Sequence, residues 1–248
     1  MNLDFYGSEG FPGTEDLKIE YNLDGYFIFQ DIRRRVGESN WFGGLRYTYS
    51  QIEASFDGTA PAFVAGGSMD NTNAGLTVLT SFDTRDNTMS PQEGLQAELR
   101  YNMYSEAFGG ELEYNIADLD IQSFWKFNQT YGGAARLLVK DADGGTPFYA
   151  KPFINLRGIA KQRYQGDVAG SLELELRWNP VLRWQYSIFG GAGKAHTDGL
   201  LEGTETAGTY GIGLRYLVAR LLGFRMGFDI ARGPEETVFY IQAGGSWF

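Results

Sequence analysis

Apolar and charged residues alternate along most of this chain with a period of two. In segment 172–178 the even positions are Leu, Leu, Leu and Trp, and the odd positions are Glu173, Glu175 and Arg177. Because successive side chains of a β-strand point to opposite faces, this alternation predicts strands with one apolar and one charged face. The pattern therefore favours a sheet over a helical protein.

The alternation, bounded by Gly, Pro, Asn and Asp, predicts an all-β protein of about twelve antiparallel strands. The 34 glycines favour many turns over helices. The predicted strands span residues 2–6, 17–30, 41–56, 73–83, 94–105, 112–128, 133–141, 169–178, 184–194, 207–218, 223–232 and 237–248.

The length of these strands separates two classes of β protein. A soluble β-sandwich or a lipocalin-like barrel also alternates, so alternation alone leaves these classes open. Most of the predicted strands reach the ~9–11 residues that cross a bilayer at a tilt, and aromatic residues collect near strand ends as in an aromatic girdle. We therefore predict a transmembrane β-barrel in the bacterial outer membrane, with lipid as the partner of its apolar face.

The connections differ in length between the two sides of the predicted sheet. An even strand number places both termini on one side, which we expect to be periplasmic because outer-membrane barrels keep short turns there and long loops outside. The longest connection, at about 142–168, falls on the outer side. The chain is thus predicted to be a single barrel domain over 1–248, with one loop long enough to fold into the lumen.

Composition excludes several functions. The formal net charge of −10, from 31 acidic against 21 basic residues, argues against a nucleic-acid surface. There is no cysteine, which excludes disulfides and thiolate metal sites. His196 is the only histidine, stands in a predicted outer loop, and has no Gly-x-Ser-x-Gly elbow to accompany it. We therefore predict that the protein is not an enzyme and has no cofactor or metal site.

Arg157, in the long loop, would need a partner if the loop folds inward. Arg157 would then lie in a confined lumen, where a guanidinium requires a carboxylate. Glu173 and Glu175 face the lumen on the next predicted strand and are natural partners. The alternative is an ordinary solvated loop, since charged residues on loops are the norm.

Two motifs resemble a known family of barrels. Leu156-Arg157-Gly158-Ile159 resembles the Val-Arg-Gly-Phe/Tyr loop motif of the bacterial surface antigen barrel, found in the BamA/TamA assembly and translocation proteins and behind patatin-like domains. Asp83-Thr84-Arg85-Asp86-Asn87, followed by Ser90-Pro91 and Gly94, resembles the family's Asp-Thr-Arg-Asp-Asn turn ahead of a strand. The motifs stand in the family's order, and the resemblance extends over the whole chain.

The resemblance implies a reduced barrel with defined loop contacts. Family members have about sixteen strands, with the Arg-Gly loop after the eleventh, whereas here the loop follows the seventh predicted strand. The chain is thus expected to be the last twelve strands of the pattern, without the periplasmic receptor modules. By resemblance, Arg157 inserts into the lumen and pairs with Glu175 and with an aspartate on the next strand. Gly191 stands at that place, and Asp229 is the candidate substitute.

The seam between the first and last strands is a further candidate site. Gly244 and Gly245 stand in the last predicted strand, where glycine weakens pairing or marks a bulge. One bulge would also return Phe248 to the face of Phe239 and Ile241. A bulge that only fits the curvature of the barrel is the alternative.

The resemblance implies a role in the insertion or passage of client proteins through this seam, with unfolded or partly folded outer-membrane proteins as partners. An unpaired edge is also a template for strand addition. A small stand-alone channel or structural barrel without a client is the alternative. The sequence leaves the client and the oligomeric state open.

Overall fold

The computed structural model describes residues 2–6, 18–56, 68–197 and 203–247. Their strands are β1 (Asn2–Tyr6), β2 (Lys18–Arg35), β3 (Trp41–Phe56), β4 (Ser68–Asp83), β5 (Gly94–Tyr104), β6 (Tyr114–Lys126), β7 (Tyr131–Ala142), β8 (Val168–Val181), β9 (Trp184–Thr197), β10 (Gly203–Ala219), β11 (Phe224–Arg232) and β12 (Thr237–Ala243). Single 3-10 turns occur at Glu106–Phe108 and Phe148–Ala150. The described residues include no helix that could cross a membrane.

All twelve predicted strands are present, and each pairs antiparallel with its neighbours in sequence to form one sheet in the order β1 to β12. The boundaries of several strands differ from the prediction. β2 continues to Arg35, β9 continues to Thr197, and β12 ends at Ala243 rather than 248. Within the described residues, β1 and β12 do not pair with each other, so the sheet has two edges.

The two faces of the sheet have opposite chemistry, as the alternation predicted. On β8, Leu174 points outward and is 54% exposed, whereas Glu173 and Glu175 on the inner face are each 3% exposed. Aliphatic side chains of β5, β9 and β10 are likewise exposed on the outside, among them Leu99, Ile188 and Ile212. Charges inside and large apolar groups outside invert the arrangement of a soluble protein, and they fit a barrel whose outer solvent is lipid.

The barrel has two open ends, which we call the turn end and the loop end after the connections that each of them carries. The turn end carries the short connections, including the β8–β9 and β10–β11 turns, together with residues 244–247. The loop end carries the connection 143–167 between β7 and β8. The predicted loops at 7–16, 57–72 and 195–206 fall wholly or partly outside the described residues.

Aromatic side chains form a belt near the turn end. Trp178 and Tyr186 pack on neighbouring strands with ring centroids 5.4 Å apart, and Trp184 packs edge-on against Tyr216 at 4.9 Å. These rings lie on the outer face; Trp178, Trp184 and Tyr186 are exposed, and Tyr216 is half-buried. Amphipathic rings at this height match the interface between hydrocarbon and headgroups.

Leu174→Arg tests where the hydrocarbon lies. We expect the free energy of unfolding to fall by about 2–4 kcal/mol, because a charge near the bilayer midplane loses its hydration. The measurement is urea unfolding in lipid vesicles. The control is Leu182→Arg in the exposed β8–β9 turn, which should cost about 0–1 kcal/mol. Equal costs at the two positions would place water, not lipid, beside Leu174.

Candidate functional site

The connection 143–167 folds into the barrel and is held there by an apolar cluster. Ile154, Leu156 and Ile159 are buried and pack against small residues of the inner wall, which are Ala169, Ala195 and Ala207. Two glycines of β9 make room for the loop: a Cβ on Gly191 would lie 2.7 Å from Leu156 Cδ2, and one on Gly193 would lie 2.4 Å from Ile154 Cγ2. The inner surface of β9 is therefore shaped to receive this loop.

Arg157 stands at the centre of the site and is bound by three carboxylates. Its Nε and Nη2 donate to Glu173 Oε1 at 3.0 and 2.6 Å, its Nη2 also donates to Glu175 Oε2 at 3.0 Å, and its Nη1 donates to Asp229 Oδ2 at 2.8 Å. The guanidinium lies over the ring of Phe189, with its carbon 3.5 Å from the ring centroid. Burial lowers the pKa of Arg157, but the charges of Glu175 and Glu173 outweigh it and raise the pKa above its ordinary value.

The aspartate that the resemblance expected on β9 is supplied from β11. Asp229 is fully buried and lies between two arginines, accepting from Arg157 Nη1 and from Arg215 Nη1 and Nη2. Gly191, at the expected position, lies opposite Glu173 in the β8–β9 pairing and leaves the space that Leu156 fills. The carboxylate that Gly191 does not supply on β9 is thus contributed by Asp229 of β11.

Gly158 is a glycine for geometric reasons. Its φ of +94° lies in the left-handed region, and a Cβ there would be 3.0 Å from the backbone nitrogen of Gly233 in the β11–β12 connection. Its own N–H donates to the hydroxyl of Tyr240 on β12 at 2.8 Å. The Arg-Gly pair therefore joins the loop to β8 and β11 through one side chain and to β12 through the backbone.

The Asp83 to Asn87 motif builds the β4–β5 connection at the turn end. Asp83 accepts hydrogen bonds from the backbone N–H and the guanidinium of Arg85. The backbone N–H of Leu95 donates to the hydroxyl of Thr84. Asp86 accepts from the backbone N–H groups of Gln92 and Glu93. Asn87 accepts from Met89 and Ser90 and donates to the carbonyl of Leu222 in the β10–β11 turn, 2.8 Å away. These bonds fold residues 90 and 91 into the mouth of the barrel, where both are buried.

Arg177 connects this motif to the Arg-Gly motif. Its Nη1 donates to the carbonyl of Pro91 at 2.7 Å, and its Nε donates to Glu175 Oε1 at 2.8 Å. Glu175 in turn binds Arg157 through its other oxygen. A buried chain of hydrogen bonds, from Pro91 through Arg177 and Glu175 to Arg157, therefore connects the turn end of the barrel to the loop; we call it the buried path. The sequence does not reveal it, because the path depends on how far Pro91 enters the lumen.

The residues after β12 turn into the lumen, which corrects the expected bulge. Gly244 has a φ of +99°, a conformation that glycine adopts readily, and the chain leaves the sheet there. Ser246 then donates to Glu175 Oε1 at 2.7 Å, and the indole N–H of Trp247 donates to Glu173. Gly244 and Gly245 thus lie outside the last strand, and Phe248 lies outside the described residues.

A second group of charges lines the lumen wall from β2 to β7. Its members form ion pairs between strands, and their basic side chains are partly exposed. Arg33 of β2 pairs with Glu98 of β5, and three pairs join neighbouring strands: Arg46 with Asp31, Arg136 with Asp120, and Lys140 with Asp118. Their N–O distances run from 2.6 to 3.2 Å. This wall is polar but lacks the complete burial of the Arg157 cluster.

His196 lies on β9 rather than in a loop, with its Nδ1 2.9 Å from Thr204 Oγ1 of β10. The prediction of a loop histidine is wrong because β9 extends further than its alternation indicated. In the described part of the chain, no group of three or more His, Asp or Glu side chains is placed to hold a metal ion.

Comparison with known proteins identifies the family. The Omp85 superfamily domain matches residues 4–155, a stretch that includes the Asp83 to Asn87 motif and ends just before Arg157. No curated protein matches the chain in sequence.

The crystal structure of BamA from Haemophilus ducreyi, lacking POTRA domains 1–3, has a similar fold. The TM-score is 0.64 at 12% identity, and the match covers 98% of this chain and 56% of that one. The chain thus spans little more than half of that BamA chain. The family match covers more than half of this sequence, so the chain belongs to the Omp85 superfamily and is a BamA/TamA-like barrel of the bacterial outer membrane.

Proposed function

We propose that this barrel, a relative of the outer-membrane assembly and translocation proteins, receives strands of client proteins at the edges formed by β1 and β12. In this proposal the turn end faces the periplasm, where clients arrive. The observation that carries it is the pair of unpaired edges in the described sheet. An unpaired edge presents N–H and C=O groups to an incoming strand.

The lengths of the edge strands support this proposal. β1 has 5 residues and β12 has 7, whereas β2 has 18 and β3 has 16. A contact between two such short strands can contain few hydrogen bonds, so its opening costs less than separation of a long interior pair such as β2–β3. The edge is therefore the place at which this barrel opens most readily.

The surface of β2 next to this edge also supports the proposal. Phe27 and Phe29 lie on the inner face, with the guanidinium of Arg46 over the ring of Phe29, and they are 61% and 55% exposed. Tyr26 and Ile28 are exposed on the outer face. The interior strand β8 carries charges on its inner face instead. Apolar surface on both faces beside a free edge suits the alternating side chains of an unfolded barrel strand.

Disulfide trapping tests the proposal, because the chain has no native cysteine. Ile241→Cys places a thiol on the outer face of β12, and Leu174→Cys places a matched thiol on β8, which is paired on both sides. We expect an unfolded outer-membrane client with one cysteine in its last strand to form a disulfide adduct at least several-fold more with the β12 variant.

Two outcomes would overturn the proposal. One is equal adduct formation at the β8 and β12 positions. The other is client folding in proteoliposomes that is no faster than in empty liposomes. A stand-alone channel without a client is the competing function, and a lumen filled by the loop and the Arg157 cluster argues against a freely conducting one.

A further inference from the structure

A small cavity lies at the turn end of the lumen, between the β4–β5 connection and the residues that follow β12. Its lining consists of Arg177, Arg215, Arg225 and Gln185, with residues 90–92 and 244–246. Its free volume of about 10 Å³ is close to that of one water-sized particle. We propose that this cavity binds a small inorganic anion of the size of chloride.

Two hydrogen-bond donors in the cavity wall carry the proposal. Gln185 is 4% exposed, and its Nε2 is buried with no hydrogen-bond partner among the described residues. Arg225 Nη1 is in the same situation. Buried donors without a partner are costly, and native proteins rarely contain them. An acceptor held in the cavity would satisfy both of them.

The charges around the cavity favour a negative ion. Four guanidinium groups, the buried Arg157, Arg177 and Arg215 and the half-buried Arg225, stand against three carboxylates, Glu173, Glu175 and Asp229. Glu175 binds Arg157 and Arg177, and Asp229 binds Arg157 and Arg215. Within the described chain, Arg225 has no carboxylate partner. A guanidinium cannot lose its proton in a protein, so the excess positive charge persists and needs a counterion.

The size of the cavity favours a halide over larger anions. Phosphate or an organic carboxylate needs several times the available volume, whereas a halide occupies about the space of one water molecule. The donors that reach the cavity are an amide and guanidinium groups, which suit an anion and repel a cation.

Thermal unfolding of the intact protein in detergent micelles tests this inference. At constant ionic strength we expect the unfolding midpoint to be about 5 °C higher in chloride than in gluconate, which is too large for the cavity. Arg225→Met should lose this difference and, in gluconate, should be at least as stable as the wild type, because it removes an uncompensated charge. Arg232→Met, on the exposed part of the same strand, should keep the full chloride effect.

A bromide-soaked crystal of the wild type provides a second measurement that needs no variant. An anomalous peak between Gln185 Nε2 and Arg225 Nη1 is expected. The proposal fails if the wild type is equally stable in both salts, if Arg225→Met keeps the chloride effect, or if the density there is water or a protein group. Should Arg225→Met fail to fold, Gln185→Leu takes its place. None of these results depends on client handling, so the anion site and the proposed function can fail separately.

Discussion

Replacement of Arg157 by methionine should lower the free energy of unfolding by about 3–5 kcal/mol. The side chain keeps most of its volume, but Glu173, Glu175 and Asp229 lose their shared cation inside the barrel. Removing one partner of a buried ion pair is far more costly than losing an exposed one. Glu173 is left buried without a cation, whereas Glu175 and Asp229 keep Arg177 and Arg215. Urea unfolding in lipid vesicles gives the free energy, and limited proteolysis reports whether the loop 143–167 has left the lumen.

The matched control is Arg163→Met in the same loop. Arg163 pairs with Glu235 near the surface at 2.6 Å, and Glu235 is largely exposed. Its loss should cost about 0–1 kcal/mol, because solvent screens such pairs. Arg157→Lys should fall between the two, since an ammonium group cannot bind three carboxylates in the fork geometry of a guanidinium. If Arg157→Met and Arg163→Met destabilise equally, the buried cluster does not hold the loop.

The second large effect is expected on ion conductance, measured in planar lipid bilayers. The intact protein should show little steady conductance, because residues 154–159 and the Arg157 cluster occupy the lumen. Deletion of 147–166, with a short Gly-Ser linker in its place, should produce a steady open channel. The deletion removes Arg157 together with the apolar cluster that packs on β9, so the plug and its anchor are lost together.

Arg163→Met again supplies the control, because it keeps the loop and the Arg157 cluster in the chain and removes the ion pair with Glu235. It should remain closed. A large steady conductance in the unaltered protein would instead support the channel function without a client. A deletion variant that folds but stays closed would show that the inner wall and the residues after β12 suffice to block the lumen.

The path from Pro91 through Arg177 and Glu175 to Arg157 joins the two motifs that resemble the Omp85-type barrels. Ser246 and Trp247 bind two of the same carboxylates. The loop, the β4–β5 connection and the end of the last strand thus meet at Glu173 and Glu175. Displacement of the β4–β5 connection or of the end of the last strand removes a hydrogen bond from Arg177, Glu175 or Glu173, and displacement of the loop removes the guanidinium of Arg157.

The alternation of side chains predicts the number of strands and, on strands such as β8, the face that each residue occupies. Leu174 and Glu175 lie on opposite faces because neighbouring residues of a strand must do so, whatever the strand packs against. The carboxylate partners on β8 followed from the same parity, once the loop was taken to fold inward. The local geometry of a strand was therefore enough to predict the fold and the two carboxylates on β8, Glu173 and Glu175.

The sequence alone did not determine which strands meet across the lumen. Asp229 reaches Arg157 although 72 residues separate them, and Gly191 serves to admit Leu156 rather than to supply an acid. The sequence predicted a bulge at Gly244, whereas the chain turns inward there. Alternation cannot distinguish a strand that bulges from one that ends. These features depend on the curvature of the sheet and on charge pairing across the lumen. Both arise from contacts between distant segments, so only the tertiary structure decided them.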